Sequence, residues 1–284
     1  MARMSWREAC QLDNSLMSLE RFFTIPPDYA QTLTGGLTNR CWKIVAANGE
    51  AYVWRPATPI TQAFSISRFQ EFQILSTIQD SGLSPKPIYI GDKGLLVEWL
   101  EGEPLTDKLT FDQLLEVITA VHSLPTTRIP VAPFNYTARV DHYWMQLKPE
   151  LKTEEYQSLY RDWRNAPSLA DVGYTLCHFD LAGYNMVQAK HGVLVIDWEY
   201  ATIGDPRLDL TLSIDVEGVN EMDAIHRYCQ LRNIEGIDDW FEGVIAWRPR
   251  ANMMAMLWYL LAYQLWGDDY YIQQAERLKQ QFCM

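Results

Sequence analysis

Residues 177–210 read CHFDLAGYNMVQAKHGVLVIDWEYATIGDPRLDL, and three pieces of that stretch carry chemistry. His178-Phe179-Asp180, with Asn185 five residues beyond the aspartate, reads as a loop bearing a carboxylate and a carboxamide. Gly192 to Ile196 is a short apolar run, the pattern of a buried strand. Asp197-Trp198-Glu199 follows directly, so a carboxylate stands where a buried strand runs out. Taken singly, His178 reads equally well as a core histidine, Asp180 and Asn185 as turn residues, and Asp197 as a strand-end cap. Their order around one strand is what points to a site.

The donor set suits magnesium, a hard cation usually held by one or two oxygen side chains together with substrate phosphates. Asn185 and Asp197 can supply those oxygens from adjacent loops. Asp180 is then left to accept a proton from a substrate hydroxyl. Kinases divide the labour of phosphoryl transfer in this way, with a loop Asp for the hydroxyl and a loop Asn and a later Asp for metal.

The stretch resembles the aminoglycoside phosphotransferase and choline kinase family, the small-molecule relatives of protein kinases. That family has His-x-Asp-x-x-x-x-Asn in its loop and opens the metal segment with Asp-[Trp/Phe]-Glu. HFDLAGYN and DWE match both patterns in the right order. Ala182 stands where protein kinases carry a loop lysine, and Asp197-Trp198-Glu199 replaces Asp-Phe-Gly. Both departures favour the small-molecule branch. The resemblance implies an α+β, two-lobed, protein-kinase-like fold. Residues 1–100 would form a small antiparallel β-rich nucleotide-binding lobe with one key helix. Residues 101–284 would form a larger, mainly helical lobe for catalysis and acceptor binding. ATP and magnesium are the implied cofactors.

Working outward, Leu33 to Arg40 is a glycine turn, and Asn48-Gly49 between 41–47 and 51–55 is a hairpin signal. The resemblance makes the glycine turn a phosphate loop, with Gly35, Gly36, Thr38 and Asn39 as its contacts. Glycine permits close approach of backbone N–H groups. Residues 62–78 have the spacing of an amphipathic helix. Kinases pair a strand cation with a helix glutamate to hold phosphates; Arg55 and Glu71 fit that pair by position. Residues 88–90 and 94–100 read as a second hairpin, broken by Glu101-Gly102-Glu103-Pro104. The resemblance places the interlobe hinge there, with Glu98 and Leu100 meeting the adenine edge through main-chain atoms.

Beyond the hinge the spacing predicts helices at 111–124, 141–147 and 154–165, and another from Gly204. Residues 5–23 also have helical spacing, stopped by Pro26-Pro27. The resemblance gives Asp209 a bracing role beneath the catalytic loop, and His178, His122 and His142 read as structural. Trp258, Tyr259, Tyr263 and Trp266 form an aromatic stripe, a pattern more common in cores than in pockets. The family nevertheless places its acceptor site among these helices, and aromatic faces attract organic cations. Glu199 and Trp258 are the candidate acceptor contacts.

Composition narrows the partners. The chain has 284 residues, 48% hydrophobic and 21% charged, with a net charge of −12. That balance disfavours nucleic acid and anionic membranes, and no protein partner is evident. Cysteines at 10, 41, 177, 229 and 283 include no Cys-x-x-Cys pair, which predicts reduced thiols and a cytoplasmic protein. The N-terminal stretch lacks an apolar signal region, and Met253 to Trp266 is too short for a membrane span. The expected function is an ATP- and magnesium-dependent kinase of a small cationic alcohol. The Ile-Asp-Trp-Glu-Tyr run and the Gly-Gly-Leu-Thr-Asn-Arg loop look most like bacterial thiamine kinases and related choline kinases. Thiamine is the leading acceptor. The alternatives are choline or ethanolamine, an aminoglycoside-type substrate, and a nucleotide-binding pseudokinase without turnover.

Overall fold

Ser5 and Glu8 cap each other's backbone at the start of α1 (Trp6–Leu12). The periodicity through residue 23 predicts one helix, but the chain breaks at Asp13 and continues as a 3-10 segment, Asn14–Arg21. The break has a tertiary cause. One Asp13 carboxylate oxygen caps Ser15 N–H, and the other accepts the Trp42 indole N–H at 2.9 Å. The chain is represented by a computed structural model that describes residues 3–33 and 41–282. The expected phosphate-loop residues Gly35, Gly36, Thr38 and Asn39 lie outside the described residues.

Five antiparallel strands follow: β1 (Tyr29–Thr32), β2 (Trp42–Val45), β3 (Ala51–Pro56), β4 (Pro87–Gly91) and β5 (Gly94–Glu98), in the order β1-β2-β3-β5-β4. Asn48-Gly49 turns the β2–β3 hairpin as its sequence predicts, with Val45 opposite Ala51 and Gly49 at a φ of +84°. Trp42, Trp54 and Leu96 are fully buried beneath Leu16 and Leu19. Between β3 and β4 the expected single helix is two: α2 (Pro59–Ala63) and α3 (Arg68–Ile78). Ser65, at a φ of +58°, separates them. The turn lets Phe64 sink against Trp258 (5.0 Å between centroids) and Trp266 (5.6 Å, stacked). Apolar contact with the second half of the chain therefore outweighs helical continuity here.

After β5, Glu103–Pro104 forms a two-residue strand, β6, rather than a simple break. Gly102 makes this possible, because a Cβ there would meet the Gln188 carbonyl oxygen at 2.5 Å. Next come α4 (Phe111–His122), α5 (Tyr136–Gln146) and α6 (Glu154–Trp163), then the short strand β7 (Thr175–Cys177). Asn135 caps α5, so this helix starts five residues before the predicted position. β8 (Met186–Ala189) and β9 (Gly192–Val195) form a hairpin beside β6, and β10 (Thr202–Gly204) pairs with β7. The chain ends in α7 (Pro206–Glu217), α8 (Glu221–Arg232), α9 (Ile237–Trp266) and α10 (Asp269–Gln280). The result is a two-lobed α+β kinase-like fold. No helix among the described residues is long and apolar enough to cross a membrane.

Candidate active site

The loop between β7 and β8 is held from below. Asp209, fully buried on α7, accepts the backbone N–H groups of His178 (2.8 Å) and Phe179 (2.7 Å). His122 of α4 places Nε2 3.0 Å from the same carboxylate and Nδ1 2.8 Å from the Tyr228 hydroxyl. Phe179 sits at a φ of +62°, a conformation bulky residues rarely adopt, so these bonds hold a strained backbone. His178 reaches across to the Ile196 carbonyl (3.0 Å) and packs edge-on against Trp198. Its burial lowers its pKa and favours the neutral ring. At the far end of the loop, Glu217 accepts the Gly183 N–H at 2.7 Å.

Asp180 projects from this loop into a cavity of about 530 Å³. One carboxylate oxygen accepts the Tyr184 hydroxyl, and the other accepts Asn185 Nδ2 at 2.8 Å. Asn185 Nδ2 also donates to the Asp180 carbonyl at 3.0 Å. Both amide protons are thus spent on Asp180, which leaves the Asn185 oxygen as the acceptor. Burial pushes the Asp180 carboxyl up to about 7; the charges of Asp197 and Glu199 add to the rise, and the Tyr184 and Asn185 hydrogen bonds oppose it.

Asp197 follows β9 at a φ of +64°, within the left-handed region that aspartate tolerates better than most residues. It opens a network of two arginines and three carboxylates. Arg55 on β3 pairs with Glu71 (2.8 Å), Asp197 and Glu199 (3.0 Å). Arg68, at the start of α3, pairs with Glu71 (2.6 Å) and Glu199 (3.0 Å). Burial alone would raise the pKa of Asp197, but Arg55 and Arg68 more than offset it and hold the group below its usual value. Glu199 goes the other way, to about 7, because burial and the Asp197 charge outweigh the arginines.

Asp180, Asn185, Asp197, Glu199 and Trp258 line one cavity, so the expected catalytic, metal and acceptor residues converge, and Tyr200 and Tyr259 line it with them. The Arg55–Glu71 pair forms between strand and helix as its positions suggest. Trp258 is on the wall, with its indole N–H given to the Tyr200 hydroxyl at 2.9 Å. Glu199 departs from expectation. It lines the cavity, yet its carboxylate is engaged by two arginines, so it offers a substrate cation much less charge than its sequence position suggests. The aromatic stripe splits: Trp258 and Tyr259 face the cavity, while Trp266 stacks in the core on Phe64. At the expected hinge, the Glu98 N–H is committed to the Lys86 carbonyl at 2.9 Å, and Leu100 follows β5 half-buried. Sequence reading missed Arg68, Tyr184 and Tyr200. Tyr184 precedes the loop asparagine and Arg68 lies one turn before Glu71, so two of the three had a positional signal.

The sequence model of the phosphotransferase enzyme family matches residues 30–240, which include the loop, Asp197 and Arg55. This chain belongs to that family. It is a phosphotransferase with an alcohol group as acceptor. Among curated proteins it is similar to a thiamine kinase of Escherichia coli, strain UMN026, with 26% identity over 265 residues covering 91% of each chain. A thiamine kinase of Shigella boydii matches to the same extent. Among solved structures this phosphotransferase resembles choline kinase LicA from Streptococcus pneumoniae, with a TM-score of 0.69 and 18% identity over 92% of this chain and 95% of that one. An ethanolamine kinase from Plasmodium vivax gives a TM-score of 0.72 at 16% identity, covering 98% of this chain and 89% of its own. LicA has also been solved with AMP.

Proposed function

We propose that this phosphotransferase moves the γ-phosphate of ATP, with magnesium, to the hydroxyl of a small cationic alcohol, thiamine first. The observation that carries the reading is the meeting of Asp180, Asn185 and Asp197 on one cavity with Tyr200, Trp258 and Tyr259. About 530 Å³ is ample for a small molecule. The thiamine kinase relatives, alike over 91% of both chains, support the choice of acceptor.

Asp180 is the group that orients the acceptor hydroxyl and takes its proton. A carboxyl near 7 is a better matched base at neutral pH than an ordinary aspartate. Asn185 and Tyr184 fix its two oxygens, so the carboxylate is pre-positioned. Arg55 has Nε on Glu71 and one terminal nitrogen on Asp197 and Glu199, so its other terminal nitrogen is the donor left for the nucleotide phosphates. The donor set fits magnesium: Asn185 donates through Nδ2 to Asp180, which leaves its Oδ1 as the ligating atom, and the Asp197 carboxylate, 28% exposed, is a second hard oxygen donor on the same cavity. Bound there, the ion would neutralise charge on the phosphates. Binding and positioning are the remaining work of these side chains, since a loose phosphoryl transition state needs little covalent chemistry.

The direct test is ADP release with ATP and magnesium over thiamine, choline, ethanolamine, homoserine and kanamycin. Release with thiamine well above the others is expected. Release with choline alone would move the acceptor to the alternative, and nucleotide binding without any release would point to an acceptor outside this panel or to the pseudokinase reading.

A further inference from the structure

Arg139 on α5 sits in the wall of the same cavity as Asp180, and no carboxylate partners it among the described residues. Its guanidinium lies 5.5 Å from the Phe134 ring and 5.8 Å from the rings of Tyr143 and Tyr200. Those distances are within cation–π range. Its hydrogen bond, to the Tyr143 hydroxyl, is long at 3.4 Å, and a guanidinium has five N–H donors. Arg55, Arg68 and Arg207, by contrast, are tied to carboxylates.

Two consequences follow from charge and shape. The faces of Phe134, Tyr143 and Tyr200 already have a resident cation. A substrate cation is left with the rings nearest Asp180: Tyr184, whose hydroxyl donates to that carboxylate, and Tyr259. The Arg139 wall, meanwhile, presents unspent donors to the cavity. A quaternary ammonium alcohol such as choline brings no hydrogen-bond acceptor apart from its hydroxyl, and it would place like charge against the guanidinium. An alcohol carrying a ring nitrogen, carbonyl or carboxylate at the end away from its hydroxyl matches both walls at once. Thiamine is such a molecule, with a thiazolium bearing the hydroxyethyl arm and an aminopyrimidine at the other end.

Resting on the kinase reading above, we infer that Arg139 is the residue that selects the acceptor, by donating to a hydrogen-bond acceptor at the end of the substrate remote from the reacting hydroxyl.

The test compares thiamine with 3,4-dimethyl-5-(2-hydroxyethyl)thiazolium, which keeps the alcohol and the cation but lacks the pyrimidine. In the unaltered enzyme, KM for the truncated alcohol should exceed that for thiamine by about tenfold or more, the scale of one hydrogen bond to a charged group. Arg139→Ala should raise KM for thiamine by about ten- to a hundredfold, with kcat changed less than about threefold. It should shift KM for the truncated alcohol far less, and Arg139→Lys should recover part of the thiamine loss. Equal KM values for the two alcohols in the unaltered enzyme would overturn the inference without any variant. So would an Arg139→Ala effect shared equally by both alcohols, even with thiamine firmly established as substrate. Preference for choline over every acceptor-bearing alcohol would overturn both inference and thiamine. Turnover of homoserine instead of thiamine, with the same dependence on Arg139, would remove thiamine and uphold the selection by Arg139.

Discussion

The Asp209 carboxylate accepts the backbone N–H of Phe179 at 2.7 Å while that residue sits at a φ of +62°. The same carboxylate accepts His178 N–H at 2.8 Å, so it fixes the two residues that aim Asp180. Its burial makes complete removal costly, because His122 and two N–H groups would lose their acceptor together.

Asp209→Asn keeps the shape and loses the charge and one acceptor. Positioning is most of phosphoryl-transfer catalysis, so kcat should fall about ten- to a hundredfold. KM for ATP should stay within about threefold, since Asp209 touches no group expected to hold nucleotide. Steady-state kinetics at saturating magnesium check this; unchanged kcat would remove the bracing role.

Asp180 should trade stability for reactivity. Its ordinary value is 3.8 and the folded chain pushes it to about 7. Between about pH 4 and 7 the folded chain therefore binds more protons than the unfolded chain, and stability contributed by this group falls as pH rises through that window. Asp180→Asn removes the buried charge. Without nucleotide and with a chelator present, it should melt a few degrees above the unaltered chain at pH 8, and close to it at pH 4.5. Turnover at pH 8 should drop about 10²–10⁴-fold, the scale of a lost general base. A stability gain equal at both pH values would show that the charge is not its source.

Asp197 pairs with Arg55 and lies on the cavity wall beside Asn185. Asp197→Asn removes one anionic oxygen from the proposed magnesium site. The magnesium concentration for half-maximal rate should rise about tenfold or more. The measurement is a magnesium titration at fixed ATP, and a curve superimposable on the unaltered enzyme's would contradict the assignment.

The legible parts of the fold were those set by local chemistry. Asn48-Gly49 specifies its hairpin, and the strand after Gly192 ends at the carboxylate its pattern implies. The Arg55–Glu71 pair could be read because strand, helix and charge were each visible separately. What escaped depends on partners far away in the chain. The helix break at Asp13 is bound up with an indole 29 positions on, and the split at Ser65 with aromatic rings near the other end of the chain. Arg139 lies outside the helix that the apolar spacing after 141 predicts, because the Asn135 cap starts the helix earlier.

Arg68 supplies the sharpest test of the charged network. It bridges Glu71 (2.6 Å) and Glu199 (3.0 Å), and its side chain is 3% exposed. The network counts two arginines against Glu71, Asp197 and Glu199, already one negative charge in excess when all three are ionised. Arg68→Met would leave all three carboxylates sharing Arg55 alone, with Glu71 and Glu199 each short of one partner. Removing one partner of a buried pair costs about 3–5 kcal/mol, so Tm should fall by roughly 10 °C. Adding Glu199→Gln removes one of the stranded charges. The double variant should therefore melt above Arg68→Met by more than Glu199→Gln shifts the unaltered chain, a departure from additivity expected only of residues that interact. Thermal melts of the two single variants and the double at pH 8 decide it. Strict additivity would mean that Arg68 stabilises α3 through Glu71 and the Pro56 carbonyl, 3.4 Å from its Nε, and not through Glu199.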